Sequence, residues 1–97
     1  MDLRFRAEAA ADLEGARRWY DAQASGLGAD FGHAFWATAE LIRRLPDAFP
    51  AVHGKVRRAL IARFPYAVYY QPVGEDVIDV LACLHTRRNP REWKRRG

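Results

Sequence analysis

A single cysteine in 97 residues sets the first limits on this chain. Cys83 has no second thiol to pair with, so an internal disulfide framework and a cysteine-based zinc site are both excluded, and the lone thiol fits a reducing cytosol. Long apolar runs are missing too. No stretch reaches the roughly 18 apolar residues of a membrane span, and Met1-Asp2-Leu3-Arg4 lacks the apolar run of a signal peptide. The expectation is a soluble, cytoplasmic protein with no membrane partner. A glycine-rich phosphate loop, a Ser-His-Asp arrangement and a cysteine nucleophile motif are all absent. His53 has no second ligand at a metal-binding spacing, and neither a metal nor a cofactor is expected. There are no repeats, linkers or low-complexity segments.

What remains is rich in core-forming residues. Hydrophobic residues make up 49% and aromatic residues 12%, too many for a disordered tail. A chain of this length buries roughly 60–65% of its unfolded surface, which suits one compact domain over residues 1–97. Lysine is scarce: fourteen of the sixteen basic residues are Arg, leaving only Lys55 and Lys94. The net charge of +4 is unevenly placed. Residues 1–54 hold six bases and eight acids, net −2, whereas residues 55–97 hold ten bases and four acids, net +6. From Thr86 to Gly97 six bases face only Glu92. Such a block suggests an anionic partner: nucleic acid, an anionic surface or an acidic protein segment.

Periodicity orders the elements. Leu3, Phe5 and Ala7 alternate with Arg4 and Arg6, the two-residue period of a short half-buried strand. From about Ala7 to Ala24 the step becomes three and four: Ala9, Leu13, Ala16, Tyr20 and Ala24 share one helical face. Glu8 and Asp12 suit the positive end of that helix dipole. Ser25-Gly26-Leu27-Gly28 breaks the helix, and a second one runs from about Gly28 to Leu45. Its stripe is Phe31, Phe35, Thr38, Leu41 with Ile42, and Leu45, and Pro46 stops it. So short a turn requires the two helices to lie antiparallel.

Asp47 to Gly54 reads as a loop, followed by strand-like runs at Val56–Phe64, Tyr66–Pro72 and Val77–Leu84. In the first, Val56, Arg58 and Leu60 face one way and Arg57, Ala59 and Ile61 the other. The third is apolar on both faces, as a central strand should be. Pro72-Val73-Gly74-Glu75-Asp76 is a hairpin turn. The order β-α-α-β-β-β predicts an α+β fold, with a helical hairpin on one face of a small antiparallel sheet and a basic C-terminal tail. The opposite sheet face is expected to stay partly uncovered as a concave surface beside the Arg-rich tail.

Candidate functional residues lie around that surface. His85 stands where the last strand meets the Arg run, and an imidazole among Arg87, Arg88 and Arg58 suits proton transfer on a phosphodiester. The planar guanidinium of Arg58 suits phosphate recognition. Trp93 either stacks a nucleobase or anchors the tail, with the anchor the simpler reading. Trp19 with Tyr20, Phe35 with Trp36, and Phe64-Pro65-Tyr66 are read as packing residues, as is His33.

The motifs in order are Ala10-Ala11-Asp12-Leu13, Trp19-Tyr20, Gly26-Leu27-Gly28 with Phe31, Arg43-Arg44-Leu45-Pro46, Val56-Arg57-Arg58, Phe64-Pro65-Tyr66-Ala67-Val68-Tyr69-Tyr70, and His85-x-Arg87-Arg88-x-Pro90-x-x-Trp93-x-x-Arg96. Together they resemble the RelE/ParE superfamily of bacterial type II toxin–antitoxin toxins across nearly the whole chain. The resemblance implies a toxin that arrests growth when free, serves in settings such as plasmid stabilisation, and forms a hetero-oligomer with a cognate antitoxin. It also implies one of two targets. RelE-like members cut mRNA in the ribosomal A site, which here would use Arg58, Arg87 and His85. The matching strand site beside Tyr66 holds Ala67, Leu60 replaces another base, and Trp93 replaces a tail Tyr, so that set is incomplete. ParE-like members have a longer helical hairpin and bind DNA gyrase without catalysis, and the forty-residue hairpin leans that way. On either reading Arg57, Arg63, Arg88, Arg91, Trp93, Arg95 and Arg96 are the expected contacts to target or antitoxin. A non-toxic nucleic-acid-binding module is the third alternative.

Overall fold

The computed structural model describes residues 1–97. The order is β1 (Asp2–Phe5), α1 (Ala7–Gln23), α2 (Leu27–Arg44), β2 (Ala51–His53), β3 (Val56–Leu60), β4 (Tyr66–Val73), β5 (Val77–His85) and α3 (Arg91–Lys94). The strands form one sheet in the order β1-β5-β4-β3-β2. This is the expected α+β arrangement, with four corrections. The sheet is mixed, because β1 lies parallel to β5, pairing Arg4 with Asp79 and Phe5 with Val80. The segment read as a loop contains β2, which is held by Arg58 N–H donating to the Pro50 carbonyl and by Arg57 donating to the Phe49 carbonyl. All three β2 residues are exposed, so no burial alternation marked it. The run from Val56 stops at Leu60, with Arg63 left-handed at φ 73° in the turn. The charged segment after Thr86 contains α3.

The hairpin is built for close approach. Gly26 takes φ 89°, and the Asp21 carboxylate accepts from the N–H groups of Gly26 and Gly28, closing the start of α2. A Cβ on Gly28 would lie 2.5 Å from the Arg17 carbonyl oxygen, so the helices meet backbone to backbone there. Phe31, Phe35, Thr38, Ala39 and Ile42 are buried on α2, whereas Leu41 and Leu45 are exposed. The expected Phe31, Phe35, Thr38 and Ile42 are in the buried stripe, which gains Ala39 and leaves out Leu41 and Leu45. Ala9, Ala16 and this stripe cover Ala59, Ile61, Val68, Tyr70, Ile78, Val80 and Cys83 of the sheet. Tyr20, Phe31, Phe64 and Tyr66 interlock, with ring centroids 4.9–5.8 Å apart, and fix the hairpin turn to the β3–β4 turn. Buried Tyr70 donates to the Pro46 carbonyl at 2.7 Å, tying the end of α2 to β4.

The second sheet face carries its own cluster: Val56, Ala67, Tyr69, Leu81, Ala82 and Leu84, capped by Trp93 of α3. The face expected to be open is therefore largely roofed. A bulge shifts the β4–β5 register between Tyr69/Ala82 and Tyr70/Val80, inserting Leu81 as an extra residue. β1 ends its pairing at Phe5 with Val80, and beyond that point the outer edge of β5 bonds to side chains. Cys83 N–H donates to Asp12 of α1 and the Leu81 carbonyl accepts from Arg96.

Candidate functional site

On the second face the Trp93 ring lies flat against Tyr69, with centroids 4.7 Å apart and planes at 13°, and His53 approaches at 6.2 Å. Trp93 is 6% exposed, so its rings anchor α3 and are not presented to a nucleobase. Burial pushes the Tyr69 phenol above its ordinary range, with the charge of Arg58 opposing that shift. Arg58 edges a cleft of about 410 Å³ shared with Phe49, Pro50, Val52 and Leu60. Its apolar floor and single guanidinium can accept an apolar side chain that carries a carboxylate nearby.

His85 ends β5 on the other side of the sheet. Its Nδ1 accepts the Arg87 N–H at 3.1 Å, which leaves Nε2 to carry the ring proton, and its ring stands edge-on to Tyr66 at 5.4 Å. A cleft of about 320 Å³ opens here between α1 and the end of β5, lined by Asp12, Gly15, Trp19, Tyr66, His85 and Arg88. Arg88 is committed to Glu92, with Nε at 2.9 Å and Nη2 at 2.5 Å from its carboxylate oxygens. That contact holds the Glu92 carboxyl below its usual range.

Arg58 and His85 are not brought together. Arg58 pairs with Tyr69 and His85 with Tyr66 across β4. Tyr69 packs under Trp93, while Tyr66 packs against the helical hairpin. Two strand spacings, roughly 10 Å, and the sheet itself separate the guanidinium from the imidazole. The expected grouping of His85 with both Arg58 and the strand-end arginines is thus split between two faces.

The other expected contacts divide as well. Arg57 is spent on the Phe49 and Asp47 carbonyls. Arg96 turns inward: its side chain is 9% exposed, and Nη1 reaches Asp12 at 2.6 Å and the Leu81 carbonyl at 3.1 Å. Arg63 is exposed over the Phe64 ring. Arg87, Arg91 and Arg95 are exposed and have no acidic partner within salt-bridge distance. Two residues outside the expected set of contacts prove central to holding this region. Asp12 joins α1, β5 and Arg96. Asp79, 2% exposed, receives Arg6 at 3.0 Å and Arg4 at 3.5 Å. An acid in the otherwise apolar Val77–Leu84 run, together with two alternating arginines in β1, was the available signal for that pair.

Cys83 lines the same cleft but is only 1% exposed, and burial pushes its thiol from 9.0 up to about 12. The native protein is expected to leave this thiol unmodified by iodoacetamide at pH 8, with full labelling only in denaturant. Since the folded thiol, and the Tyr70 phenol at about 12, hold their protons more tightly than unfolded ones, the folded state binds more protons above pH 9. Stability present below pH 9 is lost as pH rises toward 12. Urea midpoints measured from pH 8 to 11 should fall, and Cys83→Ala should flatten the part that begins near pH 9.

A helical hairpin on one face of a mixed five-stranded sheet, with a base-rich segment clamped over the other, is the architecture of a RelE/ParE superfamily toxin. The model of the ParE toxin of type II toxin–antitoxin system, parDE, matches residues 3–90, and the chain belongs to that family. Its fold is similar to that of a chain from the chromosomal ParDE TA system from P. aeruginosa. The TM-score is 0.76 with 18% identity, covering 88% of this chain and 95% of that one. No curated protein matches this chain in sequence. No helix is long and apolar enough to cross a membrane.

Proposed function

We propose that this toxin arrests growth by binding DNA gyrase, without catalysis, and that a cognate antitoxin encoded with it neutralises it by covering the basic half. The carrying observation is the division of the residues an mRNA-cleaving site would need. Arg58 lies under one face of the sheet and His85 beside the other, so no single phosphodiester meets both. The remaining exposed bases, Arg63, Arg87, Arg91 and Arg95, are surface contacts, while Trp93 and Arg96 hold the segment that presents two of them. The Arg58 cleft, apolar with one cation, fits an antitoxin segment carrying an apolar anchor beside an acid.

The test runs purified chain against gyrase supercoiling while mRNA 5′ ends are mapped after induction without antitoxin. Supercoiling should fall with mRNA intact, and His85→Ala should leave inhibition within about twofold. Codon-aligned cleavage that disappears in that variant would overturn the proposal in favour of ribosome-dependent mRNA cleavage.

A further inference from the structure

We infer that the outward surface of α3, with the neighbouring β2–β3 turn, is a contact surface for the phosphate backbone of duplex DNA. Trp93 fixes how α3 is presented. With its indole turned onto Tyr69 and buried, the short helix points Arg91, Lys94 and Arg95 to solvent, and all three are exposed. Lys55 adjoins them: His53 touches Trp93 at 6.2 Å, and Gly97 lies against Val56. Arg87 precedes the helix in the connecting turn. None of these five cations has an acidic partner. The only acid on the segment, Glu92, is held by both nitrogens of an Arg88 fork and so offsets Arg88, leaving the other bases uncompensated.

Three features select the ligand. The bases of α3 and the turn before it carry positive charge without a large exposed apolar side chain among them; Val52 of β2, beside His53, is exposed near the hairpin, and Trp19, Trp36 and Leu60 lie on other elements. A peptide partner needs apolar anchors, and a polyphosphate backbone needs none. Single-stranded nucleic acid is bound largely by stacking bases on aromatic side chains, and the one aromatic of α3 is already covered. Three charges on the α3 turn, one in the turn that precedes it and one on the adjacent hairpin match instead a duplex surface that offers charge but no accessible base faces. The inference concerns the chain's own affinity for DNA and holds whichever enzyme the toxin arrests.

The experiment measures fluorescence anisotropy of a labelled 20-base-pair duplex of arbitrary sequence, titrated with antitoxin-free chain from 50 to 300 mM KCl. Five phosphate contacts predict that log K falls with log salt at a slope of about −4.5. The triple substitution Arg91→Gln, Lys94→Gln, Arg95→Gln should reduce that slope by about 3 and weaken binding at 50 mM salt by roughly 100-fold, with an unchanged melting temperature. The triple Arg17→Gln, Arg18→Gln, Arg44→Gln removes the same charge from the hairpin and should change the slope by less than about 1. Equal loss in both triples would overturn the inference, because net charge alone would then act. So would a wild-type slope shallower than about −1, or equally tight binding of polyglutamate or of a single-stranded RNA of the same length. Supercoiling inhibition is read in a separate assay, so a failure here is distinguishable from a failure of the gyrase proposal.

Discussion

Asp12→Ala is expected to be among the most damaging single substitutions in this protein, costing about 3–5 kcal/mol in urea unfolding. The Asp12 carboxylate accepts Arg96 Nη1 at 2.6 Å and the backbone N–H of Cys83 at 3.1 Å. Remove it, and a guanidinium that is 9% exposed keeps only the Leu81 carbonyl, with Glu8 at 3.6 Å from Nε. That Nε already lacks a hydrogen-bond partner, so the site has little reserve. The cost is that of a stranded buried charge together with an unpaired amide. Arg96→Ala should cost less, since it leaves the carboxylate free to hydrate at the cleft and keep Cys83 N–H. The double variant should therefore be closer to Arg96→Ala than to the sum of the two. Additive losses, or a cost below about 1 kcal/mol for Asp12→Ala, would mean that the pair does not hold the last segment.

Gly28→Ala carries the second large effect, and its sign is the informative part. In a helix interior alanine is favoured over glycine by about 1 kcal/mol. At Gly28 the added methyl would stand 2.5 Å from the Arg17 carbonyl oxygen and 2.9 Å from Asp21 Cβ, and the first of these is backbone that cannot rotate away. The helices must part, straining the stacked Tyr20–Phe31 pair and the Asp21 bonds to Gly26 and Gly28. The expected net cost is about 2–3 kcal/mol, typical of overpacking and large enough to override propensity. Gly15→Ala, where nothing lies within 4 Å, should instead stabilise by up to about 1 kcal/mol. Thermal melts of the two variants that move in the same direction would refute the close-approach reading.

These two residues show where sequence stops being enough. Gly28 was legible as part of a helix-breaking Ser-Gly-Leu-Gly turn, yet Gly26 alone takes the left-handed conformation, and Gly28 is required by a neighbour eleven positions earlier. Asp12 read as a favourable charge in the first turns of a helix. Its partners lie 71 and 84 positions away, and no local period announces them. Arg96 and Trp93 looked like tail contacts because they sit in a charged run, and the fold turns both inward. Of the candidate site, the strand-end position of His85 was readable from the strand pattern, whereas the outward bases of α3 lay in what read as a charged tail. The separation of Arg58 from His85 was not, because it depends on which face of β4 each partner meets.

By itself the sequence determined the helical hairpin, the three long strands, the acidic and basic halves and the resemblance to a toxin family. All follow from backbone periods of about 3.6 and 2 residues, from turn chemistry and from ordered motifs, which are local properties of the chain. Tertiary structure alone decided that β1 runs parallel beside β5, that Asp79 gathers Arg4 and Arg6, that three exposed residues form β2, and that the edge of β5 past the end of β1 hands the Cys83 N–H to Asp12 and the Leu81 carbonyl to Arg96. Each depends on satisfying buried charge and backbone polarity between segments far apart in the chain, a constraint that exists only once the sheet has closed.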